Sequence, residues 1–189
     1  MKKVAIIIGS SRPGRIGANV SHWVMTKLPQ NDDVSYEIID LKEWNLPMFD
    51  EVMPPMMGQY QNDHTKKWAA KISEFTGFVF VSPEYNAGYS AATKNAIDYL
   101  KAEWEDKAVT IVIYGYGGGA SANHQLAEVF TRLKMKLTAT LPAMPFTQDA
   151  FGPDFQIKDM EETFGNCSED LTKAGDELLA LLEIFSLVV

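Results

Sequence analysis

Residues 4–17 read VAIIIGSSRPGRIG and set the interpretation of the whole sequence. The five apolar residues at the start, most of them β-branched, predict a strand buried on both faces, which is typical of a parallel sheet covered by helices. The first glycine ends this strand, and an amphipathic pattern follows from about residue 14 to residue 28. The stretch therefore predicts a strand, a polar loop and a helix, which is the repeating unit of a parallel α/β fold.

The same unit recurs along the chain. Apolar runs predict further strands at residues 36–41, 77–81, 108–114 and 137–141. The alternation predicts a doubly wound α/β fold, a three-layer sandwich with a five-stranded parallel sheet in the order 2-1-3-4-5, formed by one domain over residues 1–189. Helices are predicted at residues 14–28, 63–76, 90–104, 120–135 and 168–187, and irregular segments at residues 42–62 and 142–166.

The charge and the cysteine content argue against several classes of function. The chain has 17 basic and 25 acidic residues, a formal net charge of −8, and such a surface repels nucleic acids and anionic membranes. Its one cysteine, Cys167, cannot form an internal disulfide, and the cytoplasm is the expected location. The three histidines lie far apart in sequence without metal-ligand spacing, so no metal is expected.

The loop after the first strand has the chemistry of a phosphate site. Ser10 offers a hydroxyl, Arg12 and Arg15 offer guanidinium groups, and the helix that begins near Ile16 and Gly17 offers free backbone N–H groups. Anions are stabilised by such donors and by the positive end of the helix dipole. A plain strand–helix turn with surface arginines is the simpler alternative, but two arginines beside two serines exceed what a turn requires.

Two other nucleotide-binding motifs nearly match this loop. Gly9 and Gly14 have the spacing of the P-loop motif G-x-x-x-x-G-K-[ST], but Arg15 and Ile16 replace the lysine and the hydroxyl residue of that motif. The dinucleotide motif G-x-G-x-x-G fails at Ser11, which stands in place of its second glycine. A mononucleotide phosphate therefore suits the loop better than a pyrophosphate does.

Two further loops have unusual sequences. Residues 82–89 read SPEYNAGY and follow the third strand, and residues 114–121 read YGYGGGAS and follow the fourth. The first presents amides and carbonyls beside a flat ring, and the glycines of the second let a backbone approach a ligand closely. Each could be an ordinary βα connection, but all three loops converge on one crevice in a sheet of this order. The candidate residues here are Pro83, Glu84, Tyr85, Asn86, Tyr114, Gly115, Gly117 and Gly118.

These motifs resemble the NADPH-dependent FMN reductase family of the flavodoxin-like superfamily. The resemblance covers roughly residues 3–141 and is carried by residues 9–15, 83–86, 94–100 and 114–115. It implies a flavodoxin-like fold, FMN as the bound cofactor, NADPH as the hydride donor, and a homodimer or homotetramer. The sequence departs from the family where Pro-Gly and Leu-Lys are usual: here it has Ser90-Ala91 and Thr93-Lys94.

The predicted function is therefore an FMN-dependent NAD(P)H oxidoreductase with a small-molecule electron acceptor. The acceptor would be a quinone, an azo compound, a nitroaromatic, a metal oxyanion or free flavin. The first loop, up to Gly17, is assigned to the FMN phosphate and the other two loops to the flavin ring. No catalytic side chain is expected, because a flavin supplies the redox chemistry itself. The alternative is a flavodoxin-like electron carrier that does not turn over NADPH.

Overall fold

The structure, a computed structural model, describes residues 1–186, and it is built around one mixed sheet. Apolar runs with β-branched residues form its long central strands, as the sequence predicts. The strands are β1 (Lys2–Ile8), β2 (Val34–Asp40), β3 (Gly77–Tyr85), β4 (Gly88–Tyr89), β5 (Ala108–Gly115), β6 (Lys136–Leu137) and β7 (Ala143–Pro145).

The sheet order is β2-β1-β3-β5-β6. Since β4 lies off this path, β5 and β6 correspond to the predicted fourth and fifth strands, and the predicted order 2-1-3-4-5 is confirmed for the parallel strands. β1 pairs in parallel with β2 and β3, and β5 pairs in parallel with β3, β6 and β7. Two details differ from the prediction. β4 is an added antiparallel partner of β3, and the predicted fifth strand at residues 137–141 is wrong beyond Leu137: the edge of the sheet is formed by two short strands on either side of that stretch, β6 and β7.

The interruption between β6 and β7 has a physical cause. The backbone N–H of Thr140 donates to the Glu177 carboxylate at 2.7 Å instead of to β5, and the Thr140 hydroxyl donates to the same carboxylate at 2.8 Å. Pro142 follows shortly after and has no N–H to offer to a ladder. The edge strand therefore leaves the sheet for a few residues.

The helices flank the sheet on both faces, which confirms the three-layer architecture. The helix predicted at residues 90–104 ends earlier than expected, at Asp98. The chain turns there, and the Trp104 indole donates back to the Ile97 carbonyl at 3.1 Å. The last helix begins at Ser168 as predicted, while its predicted end at residue 187 lies outside the described residues. The helices are α1 (Gly17–Lys27), α2 (Leu41–Trp44), α3 (Asp63–Ser73), α4 (Ala91–Asp98), α5 (Ala120–Arg132), α6 (Met160–Phe164) and α7 (Ser168–Ser186).

The alternation of side chains along β3 divides the core into two clusters. Phe78 and Phe80 face α3, α4 and α5, where Phe78 packs against Trp104 with ring centroids 5.0 Å apart. Val79 and Val81 face α1 and α7 on the other side of the sheet. Both faces of the central strands are thus buried, as continuous apolar runs require. No helix within residues 1–186 has the length and apolar content needed to cross a bilayer.

We expect Gly119→Ala to lower the free energy of unfolding by about 2–4 kcal/mol, because it adds left-handed strain and overpacking. Gly119 has a φ of 79°, and a Cβ there would overlap the Ile113 side chain. Urea denaturation of the cofactor-free protein measures the change. Gly117→Ala is the matched control, since a Cβ there meets nothing within 4 Å. Equal losses in the two variants would contradict this account of the glycine run.

Candidate functional site

A cavity of about 550 Å³ opens at the carboxyl ends of β1, β3 and β5. Its position is the switch point at which parallel α/β sheets bind ligands. The three predicted loops do converge there. The predicted residues in its wall are Ser10, Arg12, Arg15, Ile16, Pro83, Glu84, Tyr85, Tyr114 and Gly115.

Four predicted residues do not line this cavity. Asn86 lies in the exposed two-residue turn between β3 and β4, where its φ of 49° and the φ of 63° at Ala87 are the positive values of a type I′ turn. Gly117 faces open space, and Gly118 faces Pro145. Gly17 begins α1 against the Tyr114 hydroxyl, which a Cβ at this position would approach to 2.6 Å.

The cavity also has a wall that the sequence reasoning missed. We define the aromatic wall as Tyr116, Phe146, Phe151 and Phe155. The Tyr116 and Phe146 rings lie 4.7 Å apart, and Phe146 and Phe151 lie 5.3 Å apart. Gly14, Gln148 and Asp154 complete the lining. Three of these residues, Phe146, Phe151 and Phe155, lie in the segment 142–166 that is predicted to be irregular. Their spacing matches neither a helix nor a strand, so the sequence does not indicate that they share a surface.

Arg12 is the free cation at this site. It is exposed, and none of the carboxylates in residues 1–186 forms an ion pair with it. It stands just before α1, whose N-terminus has neither a side-chain cap nor an acidic residue in its first turn. The first N–H groups of a helix have no partner within the helix. This end of the cavity therefore combines a guanidinium group with open amide donors, which is the chemistry that binds a phosphate.

Arg15, a predicted phosphate ligand, is already paired with an acidic side chain in this structure. Both of its terminal nitrogens donate to the Asp40 carboxylate at the end of β2, one of them at 2.7 Å. One nitrogen also donates to the Ser10 carbonyl. Both side chains of the ion pair are only 11% exposed. Arg15 therefore lines the cavity and fixes the path of the loop, while its charge is neutralised by Asp40.

Three hydroxyl side chains lie at the cavity where the first loop passes the ends of β3 and β5: Ser10, Tyr85 and Tyr114. The Ser10 hydroxyl lies 2.9 Å from the Tyr85 hydroxyl, and Ser10 is fully buried. Burial, reinforced by the nearby Tyr85, raises the pKa of the Tyr114 phenol above its ordinary value. The Tyr114 hydroxyl therefore keeps its proton at neutral pH and can donate a hydrogen bond.

The hairpin of β3 and β4 is held by α5. The Glu84 carboxylate accepts from the Ala122 N–H at 3.3 Å, in the first turn of α5, where a negative charge is favourable. The Gln125 amide donates to the Ala87 carbonyl at 2.8 Å, in the turn of the hairpin. Glu84 thus lines the cavity, but its carboxylate is used to place the hairpin.

The departure from the family motif at residues 90–94 lies directly under the first loop. Ser90 caps α4 by accepting from the Thr93 N–H at 3.1 Å, and its hydroxyl donates to the Gly9 carbonyl. The Thr93 hydroxyl lies within 2.9 Å of the Ser90 hydroxyl, and both residues are buried. This serine–threonine pair therefore connects the start of α4 to the first loop by hydrogen bonds.

Similarity to known proteins identifies the family of this chain. Residues 2–149 match the family model described as NADPH-dependent FMN reductase. An NAD(P)H-dependent FMN reductase of Nectria sp is 40% identical over 97% of this chain and 98% of its own length. One from Schizosaccharomyces pombe is 42% identical over 96% of this chain and 90% of its own length. The chain belongs to the NADPH-dependent FMN reductase family, and the predicted family of FMN-dependent enzymes is confirmed.

A solved structure supports the fold. The flavoenzyme NAD(P)H:(acceptor) oxidoreductase FerB of Paracoccus denitrificans superposes with a TM-score of 0.71. It covers 97% of this chain and 98% of its own, at 18% sequence identity. At that identity the likeness concerns the fold alone. A flavodoxin from the domain Archaea superposes with a TM-score of 0.51, and the flavodoxin-like architecture is confirmed.

We expect Asp40→Asn to lower the free energy of unfolding by about 2 kcal/mol. The loss is smaller than the 3–5 kcal/mol typical of a fully buried broken pair, because both partners keep some exposure to water. Asp98→Asn is the matched control, since Asp98 pairs with Lys94 at 2.5 Å on an exposed face and should cost less than about 0.5 kcal/mol. Chemical denaturation measures both, and a loss at position 40 no larger than that at position 98 would contradict the structural role of the ion pair.

Proposed function

We propose that the whole chain is one FMN-binding domain that oxidises NAD(P)H and reduces a small-molecule acceptor, with FMN in the cavity described above. The observation that carries this proposal is Arg12, which forms no ion pair within the described residues, beside the uncapped start of α1 at one end of that cavity. Together they form a site for one terminal phosphate. The predicted cytoplasmic location of the protein stays a prediction.

The residues present fit FMN better than FAD. The phosphate end offers Arg12, the buried Ser10 and the first amides of α1, and Ser11 still stands where a dinucleotide site needs glycine. The ring end is formed by the ends of β3 and β5, where Pro83 and Gly115 line the cavity with backbone and small side chains. A volume of about 550 Å³ lies within the ordinary range of ligand sites.

The chain supplies binding and orientation in this proposal. FMN, when bound, supplies the redox chemistry between a nicotinamide donor and an acceptor. Arg12 holds the phosphate, the ends of β3 and β5 present backbone groups to the ring edge, and the Tyr114 hydroxyl donates from the floor. The aromatic wall gives one side of the cavity an apolar lining. No described side chain is needed as an acid or a base.

We also propose that the protein is a homodimer or homotetramer. The segment from β2 to α3 exposes large apolar side chains, with Met48 77%, Val52 87% and Met56 77% exposed. Apolar groups clustered in one exposed segment are typical of an interaction surface. This supports contact with a second subunit, and sedimentation of the purified protein decides between the two assemblies.

The first test of the function is the identity of the cofactor. We expect heat release from the purified protein, or from protein reconstituted with excess FMN, to yield FMN on chromatography, and the holoprotein to oxidise NADPH when a quinone is added. Recovery of FAD would overturn the cofactor assignment. FMN binding without any oxidation of NADPH would identify an electron carrier instead of an enzyme.

We expect Arg12→Ala to weaken FMN binding by about ten- to a hundredfold, the value of one charge-assisted contact to a phosphate. Arg132→Ala removes the same charge at the far end of α5, where Arg132 is exposed and pairs with Glu128 at 3.0 Å, so its FMN affinity should equal that of the wild type. Fluorescence titration of the cofactor-free protein measures both. Equal affinities of the two variants would contradict the phosphate role of Arg12.

A further inference from the structure

Phe155 differs from a core residue in both its exposure and its backbone conformation. Its side chain is 72% exposed, so its ring contributes little to the hydrophobic core. Its φ of 58° is in the left-handed region, which is unfavourable for a bulky residue and is better served by glycine or asparagine. The ring nevertheless lines the mouth of the cavity.

The turn that carries Phe155 is tightly fixed. Phe151 and Ile157 form an antiparallel bridge, and the Gly152 N–H donates to the Gln156 carbonyl at 2.8 Å. The Phe155 N–H donates to the Gly152 carbonyl at 3.0 Å. We call residues 151–157 the mouth turn. These hydrogen bonds hold the strained residue in place, and local strain that is held in this way is typical of functional positions.

The mouth turn also carries a negative charge. Asp154 precedes Phe155, is exposed and lines the same cavity. Its carboxylate accepts from the Gln156 N–H at 3.1 Å, and no basic group in residues 1–186 forms an ion pair with it. The mouth turn therefore places a flat apolar side chain beside a single carboxylate.

We propose that Phe155 is the specificity-determining residue of the acceptor site and that it stacks on a flat, uncharged aromatic acceptor, such as a quinone or an azo compound. This inference rests on the proposed function and selects within it, because metal oxyanions have no ring to stack on Phe155. Aromatic pairs in offset or edge-to-face contact add affinity beyond their buried area.

The test compares two acceptors in steady-state kinetics with NADPH as the donor. One is an uncharged benzoquinone, and the other is ferricyanide, an anion without a ring. For Phe155→Gly and Phe155→Asn, we expect the ratio of kcat/KM for benzoquinone to that for ferricyanide to fall about tenfold, through KM for benzoquinone. Phe155→Tyr keeps a ring and should restore the ratio of the wild type.

The variants distinguish a failure of the role of Phe155 from a failure of the proposed function. Glycine accepts the backbone at position 155, so Phe155→Gly should melt no lower than the wild type, and lost affinity is then not lost folding. An unchanged ratio in Phe155→Gly, with FMN bound and NADPH oxidised, would overturn the role of Phe155 alone. A wild type that binds no FMN or oxidises no NADPH with either acceptor would overturn both proposals.

Discussion

The ion pair between Arg15 and Asp40 is the interaction on which the site depends. It joins the loop after β1 to the end of the neighbouring strand β2, and the same guanidinium group binds the Ser10 carbonyl. The path of the first loop is therefore set by a contact between two parallel strand ends. Because Asp40 neutralises Arg15, the positive charge that remains at the cavity is concentrated on Arg12, beside the start of α1.

The parallel sheet and the meeting of its loops could be predicted because they follow from local patterns. An apolar run such as residues 4–8 has few alternatives to a buried strand. The carboxyl ends of parallel strands then meet at one edge whatever the details of packing are. The ion pair of Arg15 could not be predicted in the same way, since its partner is 25 residues away and nothing local marks Asp40 as that partner.

The β3–β4 hairpin and the aromatic wall could not be predicted from the sequence, for different reasons. The hairpin that carries Asn86 has an Asn-Ala turn, without the Asn-Gly pair that usually signals a two-residue hairpin. The aromatic wall comes partly from a segment without helical or strand periodicity, so its phenylalanines could be placed only by tertiary structure. In both cases the missing information was the packing of one segment on another, as with α5 against the turn of the hairpin.

The mouth turn has a consequence for how this kind of protein can change. The mouth turn, residues 151–157, is closed by its own backbone hydrogen bonds. The loop after β1 is instead anchored to the end of β2, and the end of β3 is anchored to α5. One side of the cavity is therefore formed by a turn that can change by substitution or insertion without disturbing the contacts that fix the other side. Variation in the mouth turn can alter the shape of the cavity while the loop after β1 keeps its path.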